Sequence, residues 1–119
     1  MNRTQYRLLC RAKIHRATVT AADPDYIGSI AIDGDLMERV DLWPGEQVHV
    51  WDVDNGERFV TYAVPAPRGS GAVIVNGAAA HRVRVGDRVI VAAFVLAAEP
   101  VTPRMILVDE ENRFVRELG

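Results

Sequence analysis

The chain is poor in the residue types that most often announce a site. It holds one cysteine, Cys10, among 119 residues. No intrachain disulfide can form and no CxxC pair exists, so a reducing cytoplasm is the expected setting. Its three histidines, His15, His49 and His81, are scattered rather than set at ligand spacing, and no metal is expected. Neither a Walker loop nor a GxGxxG fingerprint occurs. Charge of either sign is not in excess: 14 basic side chains face 16 acidic ones, for a net charge of −2. With no basic cluster, nucleic acid is not expected as a partner. The longest apolar run, Val89 to Ala98, is too short to span a bilayer and reads as a buried strand. Met1 to His15 carries arginines but no apolar core of a signal peptide, so no membrane association is expected.

Lysine and serine are also scarce. Lys13 is the only lysine beside thirteen arginines, and Ser29 and Ser70 are the only serines, each directly after a glycine. Codon bias explains both facts. So does a pair of tasks that arginine and threonine cannot perform.

What is present is enough for one domain with a real core: 49% of residues are hydrophobic and 25% charged. Arg7 to Thr20 alternates and is rich in β-branched residues, so it reads as a long strand. Asp23-Pro24-Asp25 reads as a turn, and Ile27 to Ile32 as a short strand carrying the Gly28–Ser29 bond. Asp35 to Val40 reads as a short helix capped by Asp33 or Asp35. Gln47 to Val53 and Arg58 to Val64 form a hairpin around Asp54-Asn55-Gly56. Pro65 to Gly71 is a loop, Ala72 to Val75 a strand, and Asn76 to His81 a turn or one helical turn. Arg88 to Leu96 and Met105 to Val108 are further strands, and Glu110-Glu111-Asn112 is a turn. Gly45-Glu46-Gln47-Val48-His49-Val50 is echoed by Gly86-Asp87-Arg88-Val89-Ile90-Val91. Many short strands with an internal echo point to an all-β domain, a small barrel with twofold pseudosymmetry.

The two Gly-Ser pairs differ in setting. Ser70 lies in a glycine-rich, proline-flanked loop and reads as a turn serine. Ser29 sits between Ile27 and Ile30, where a hydroxyl either bonds to a neighbour or attacks the preceding carbonyl. Attack needs a close, strained backbone, which glycine permits. A hydrolase triad is the rival, but neither serine has glycines two residues before and after it, so there is no nucleophile elbow.

Several blocks then resemble one family in order and spacing: Lys13-Ile14-His15-Arg16, Val19-Thr20, Tyr26-Ile27-Gly28-Ser29, Asn55 to Ala63, Arg68-Gly69-Ser70, Val75 to His81, and Gly86-Asp87. Together they resemble the aspartate 1-decarboxylases, pyruvoyl enzymes that supply β-alanine for pantothenate and coenzyme A. The stretch departs from the family's usual pattern at Asp25 and Ile27.

The resemblance implies a double-psi β-barrel and a homotetramer with active sites between subunits. It implies self-cleavage at Gly28–Ser29 into a β chain, 1–28, and an α chain, 29–119, with a maturation helper as a possible partner. Ser29 Oγ would attack the Gly28 carbonyl, with Thr61 as donor to the oxyanion. β-Elimination and hydrolysis would leave a pyruvoyl group at position 29, with no metal and no pyridoxal phosphate. That group would form a Schiff base with L-aspartate, and Tyr62 would donate the proton after CO₂ departs. Lys13 and Arg58 would meet the substrate's carboxylates, with Thr61, Asn76, Gly77, Ala78 and Ala79 lining the site. A non-catalytic barrel that binds a partner, or a pyruvoyl decarboxylase of another amino acid, are the alternatives.

Overall fold

A computed structural model describes residues 3–119. Nine strands are interrupted by two short helical segments: β1 (Arg7–Thr18), β2 (Ala21–Asp23), β3 (Ser29–Asp33), α1 (Gly34–Arg39), β4 (Gln47–Asp52), β5 (Arg58–Ala66), β6 (Val73–Asn76), a 3₁₀ segment (Gly77–Arg82), β7 (Arg88–Ala97), β8 (Arg104–Val108) and β9 (Phe114–Leu118). They hydrogen-bond in the order β2-β6-β3-β5-β4-β7-β1-β8-β9. Val19, Ile30, Ile32, Val48, Val50, Val73, Val75, Val89 and Val91 are all buried in one core. Period-2 burial along β4 turns Val48, Val50 and Asp52 inward and leaves Gln47, His49 and Trp51 on the outer face.

The echo in the sequence marks a twofold axis. The echoed glycines, Gly45 and Gly86, both sit at positive φ, 85° and 95°. Gly45 N–H donates to Ala63 O and Ala63 N–H to Glu46 O. In the other half, Gly86 N–H donates to Val19 O and Val19 N–H to Asp87 O. In the antiparallel β4–β7 ladder Val50 faces Val91, its own counterpart in the echo. A ladder residue meets its counterpart only where the axis passes between the two strands. The β3–β6 ladder repeats the relation, with Ala31 facing Ile74. Each half then runs straight from its strand into a helical segment, at Gly34 and at Gly77. Parallel pairs β2–β6 and β3–β5 complete the crossing of the two halves. This interleaved arrangement is the double-psi β-barrel.

Most expected elements are present, with shifted edges. Asp33, not Asp35, caps α1: its side chain accepts from Asp35 N–H at 2.9 Å. The long first strand breaks at Val19–Thr20, where Thr20 Oγ1 accepts from Val73 N–H at 2.9 Å and the chain turns into β2. β9 is an addition to the expected set. One correction bears on the site. Ile27 and Gly28 are not strand; β3 begins at Ser29. Ile27 is exposed, so the apolar run that reads as strand at Ile27 is not a buried one.

Candidate functional site

Ser29 is the first residue of β3, and only 4% of its surface is exposed. It faces Asn76, the last residue of β6, across the antiparallel ladder. Asn76 Nδ2 donates to Ser29 Oγ at 3.3 Å, and Ser29 Oγ donates to Ile27 O at 3.4 Å. Both side chains are buried, so the amide and hydroxyl serve each other where water does not.

Gly28 does not take a left-handed φ, and a Cβ there would find only Asn76 O at 4.0 Å. The left-handed backbone that glycine permits is therefore not used at Gly28. The demand for glycine falls on Gly77 instead. Its φ is +73°, and a Cβ on it would stand 2.6 Å from Gly28 Cα and 2.9 Å from Gly28 N. Gly77 thus lets the turn after β6 lie directly on the Gly28–Ser29 segment. Ala78 is exposed and Ala79 half-buried in the same 3₁₀ segment.

β5 supplies the other flank. Ile30 is level with Ala63 in the parallel β3–β5 ladder, so one step back along both strands brings the start of β3 at Ser29 beside Tyr62, with Thr61 the next residue back on β5. Thr61 is half-buried and level with Val48 on the inward side, whereas Tyr62, 39% exposed, shares the outer face with Gln47. Arg58 opens β5 on that face and lays its guanidinium over the Trp51 ring at 4.5 Å. Lys13 lies on the outer face of β1, level with Ala92, which is in turn level with His49. Neither Lys13 nor Arg58 is ion-paired among the described residues, although four other arginines are.

Gly28, Ser29, Asn76 and Gly77 are thus gathered around one peptide bond, with Thr61 and Tyr62 on the strand next to it. Lys13 is not on a strand next to that bond: in the ladder order β1 lies four strands from β3. Next to Lys13, His15 is held below the ordinary histidine value by burial, then by the charges of Lys13 and Arg16. Its Nδ1 has no partner. Ser70, by contrast, occupies the exposed turn expected for it, with Oγ accepting from Ala72 N–H at 3.2 Å.

Sequence reasoning missed one cluster. Asp52, Asp54 and Asp87 present carboxylate oxygens within 4.8 Å of one another. Only the spacing of Asp52 and Asp54 hinted at it, because Asp87 arrives from another strand. Burial, then a hydrogen bond with the Asp87 carboxyl, push Asp52 up to about 6, against the amide bonds from Asp54 and Asn55.

Known proteins match the chain over most of its length. The model of the family described as aspartate decarboxylase matches residues 5–115. A protein of Polaromonas sp. named aspartate 1-decarboxylase 1 is 48% identical over 94% of this chain and 92% of its own length. Aspartate 1-decarboxylases of Acidovorax sp. and Leptothrix cholodnii are 50% and 48% identical over 92% and 95% of this chain, and over 90% and 88% of their own lengths. Among solved structures, the rationally designed protein mkDPBB_sym_86 superposes with a TM-score of 0.48 at 21% identity, covering 68% of this chain and 94% of its own.

Proposed function

Because the chain belongs to the aspartate decarboxylase family, we propose that it removes the α-carboxylate of L-aspartate, releasing CO₂ and β-alanine for pantothenate and coenzyme A synthesis. The carrying observation is the family match over nearly the whole chain, with the family's glycine–serine pair folded against Asn76 and Gly77.

We further propose that the chain cleaves itself at Gly28–Ser29. Ser29 Oγ attacks the Gly28 carbonyl carbon, the C–N bond breaks and an ester forms. Elimination frees Gly28 as a carboxylate. Dehydroalanine at position 29 then takes up water and loses ammonia to become pyruvoyl. The oxyanion of the first step needs a fixed donor, a role assigned to the Thr61 hydroxyl on β5, the strand parallel to β3. Ser29's burial and the cradle at Gly77 suit such a group, since position 29 is shielded from water and no Cβ presses on Gly28 beside it. When formed, that group supplies a ketone that takes up the substrate amine and draws off the electrons of decarboxylation.

The chain's own side chains do the rest. Arg58 offers a carboxylate a planar fork already oriented by Trp51. Lys13 adds a second free cation. Tyr62 returns a proton to the carbon that loses CO₂. Lys13 lies strands away from Ser29 in its own chain, which favours a homotetramer whose sites combine residues of neighbouring subunits. Leu8 and Leu96, paired across β1–β7, are both exposed and give such an assembly apolar surface. The half-buried thiol of Cys10, in no disulfide, supports a reducing cytoplasm.

Intact mass measurement combined with product analysis tests this reading. Two chains parting after residue 28 are expected, the larger with a hydrazine-reactive end, together with β-alanine formation from L-aspartate. Ser29→Ala should remain whole and inactive. An uncut wild-type chain without turnover would instead mark a non-catalytic barrel.

A further inference from the structure

At the end of β4, Asp52 is only 3% exposed. Its Oδ1 accepts from Asp54 N–H at 2.8 Å and from Asn55 N–H at 3.1 Å, which forms the turn into β5. Among the described residues its buried Oδ2 meets no N–H donor and faces only the Asp87 carboxyl. The Asp87 carboxyl, just before β7, faces it, and Asp54 closes the third side. Asp54 Oδ2 accepts from Arg88 N–H at 2.6 Å and Asp87 Oδ2 from Arg84 N–H at 3.0 Å; Asp87 keeps Oδ1 for the centre, whereas Asp54 Oδ1 is shared with the Arg88 guanidinium at 3.4 Å. Asp54 and Asp87 also line a cleft of about 600 Å³, which gives an ion a route in from solvent.

The barrel's pseudosymmetry shows what is missing. Glu46 is the counterpart of Asp87, and each accepts from the backbone N–H three residues before it, that of Trp43 or Arg84. Glu46 is further neutralised by a two-pronged contact with Arg11. Among the described residues no arginine or lysine pairs with Asp87 or with Asp52. The second half therefore has the acid without the cation. Arg88, 3.4 Å from Asp54 Oδ1, offsets only one of the three charges.

We propose that Asp52, Asp54 and Asp87 bind an oxygen-seeking divalent cation, with Ca²⁺ the best fit. The donor set is all oxygen, which selects hard cations over zinc or copper. Oxygens about 2.3–2.6 Å from one ion lie at most about 5 Å apart, and the three carboxylates meet that limit. Three carboxylates from a strand end and two separate turns, not arranged as an octahedron, suit the irregular shell of Ca²⁺ better than the strict geometry of Mg²⁺, with water filling the remaining positions. Affinity in the range of about 10⁻⁴–10⁻³ M is expected, because Arg88 competes for Asp54. The ion would pin the β4–β5 turn to the start of β7 and stiffen the hairpin that carries Arg58.

The test uses the purified, processed protein freed of metal with a chelator and titrated with CaCl₂ at neutral pH, against NaCl of matched ionic strength. Calorimetric binding at one site per chain and a saturable rise in Tm with Ca²⁺ are expected. Asp52→Asn should remove the response. Asp54→Asn, at an exposed position, should weaken binding about ten- to a hundredfold and covers the case in which the Asp52 variant fails to fold. No response to millimolar Ca²⁺ in wild type would overturn the proposal and leave a proton as the only occupant. An undiminished response in both variants would overturn it by placing the ion elsewhere. Because neither readout involves turnover, the result stands apart from whether the chain decarboxylates aspartate.

Discussion

Asn76 and Asp33 occupy equivalent positions in the two halves of the barrel, each one residue before the glycine that opens a helical segment. Asn76 faces Ser29 across the β3–β6 ladder. At the ladder's other end Asp33 lies beside Ala72, whose carbonyl accepts from Asp33 N–H at 2.9 Å. Gly28–Ser29 thus has a twofold mate in Gly71–Ala72. The mate lacks a hydroxyl, and its neighbour is an acceptor where Asn76 is a donor. Asn76→Asp should make the two ends alike and slow self-cleavage. Asn76 Nδ2 is bonded to the Ser29 hydroxyl, and a misplaced attacking group costs on the order of 10²-fold in rate. Cleaved fraction against time on denaturing gels measures this. Wild-type cleavage in Asn76→Asp would show that Asn76 only packs against Ser29.

Gly77 and Gly56 separate two demands on glycine. Both have positive φ, but a Cβ at Gly56 meets nothing within 4 Å whereas one at Gly77 runs into Gly28. Alanine at either position should lose about 1–2 kcal/mol through its left-handed backbone. Only Gly77→Ala should lose more than that and also impair cleavage, because the scissile segment must move. Urea midpoints measured in the uncleavable Ser29→Ala background isolate the stability effect. Equal losses at the two positions would remove the close approach as a cause.

The sequence carried the pseudosymmetry openly in the Gly45 and Gly86 echo, because a positive-φ turn followed by alternating valines is a local pattern. It carried a cap for α1 for the same reason, at Asp33 or Asp35, of which the fold uses Asp33. It misplaced the start of β3, because Ile27 continues an apolar run that reads as strand, yet its side chain is exposed. The role of Gly77 could not be read at all, since what forbids a Cβ there is the backbone of Gly28, distant in the chain. The carboxylate cluster was hidden in the same way: Asp87 joins Asp52 only through the register of β4 with β7.

Substrate choice should follow from the unpaired cations. L-Aspartate carries two carboxylates, and Arg58 and Lys13 are free to meet them. Loss of a charge-assisted contact in a mostly dry site is worth about 1.5–3 kcal/mol, roughly 10- to 150-fold. Arg58→Ala should lower kcat/KM for aspartate by that order while the chain is still processed. Tyr62→Phe should also be processed, yet turn over roughly 10²–10⁴-fold more slowly, as for loss of a positioned acid. L-Alanine should be a far poorer substrate than aspartate. Equal turnover of the two would exclude a carboxylate-binding role for Arg58 and Lys13.

Asp33 should make the barrel sensitive to acid. Burial alone would raise its pKa, but N–H groups of Gly71, Asp35 and Gly69 donate to its carboxylate and hold it below the ordinary value of 3.8. A folded value below the unfolded one means the charged form is the one that folding favours. The resulting stability is complete above the unfolded value and fades as pH falls through the folded one. Asn at this position keeps the cap of α1, since asparagine caps well. It would, however, turn an amide donor toward the N–H groups of Gly69 or Gly71, which now meet Asp33 oxygens at 3.0 and 2.9 Å. Asp33→Asn should therefore lose about 1–3 kcal/mol at neutral pH. Its urea midpoint should also fall less steeply than wild type below about pH 4. Parallel acid profiles for the two proteins would show that Asp33 is not the group that senses the proton.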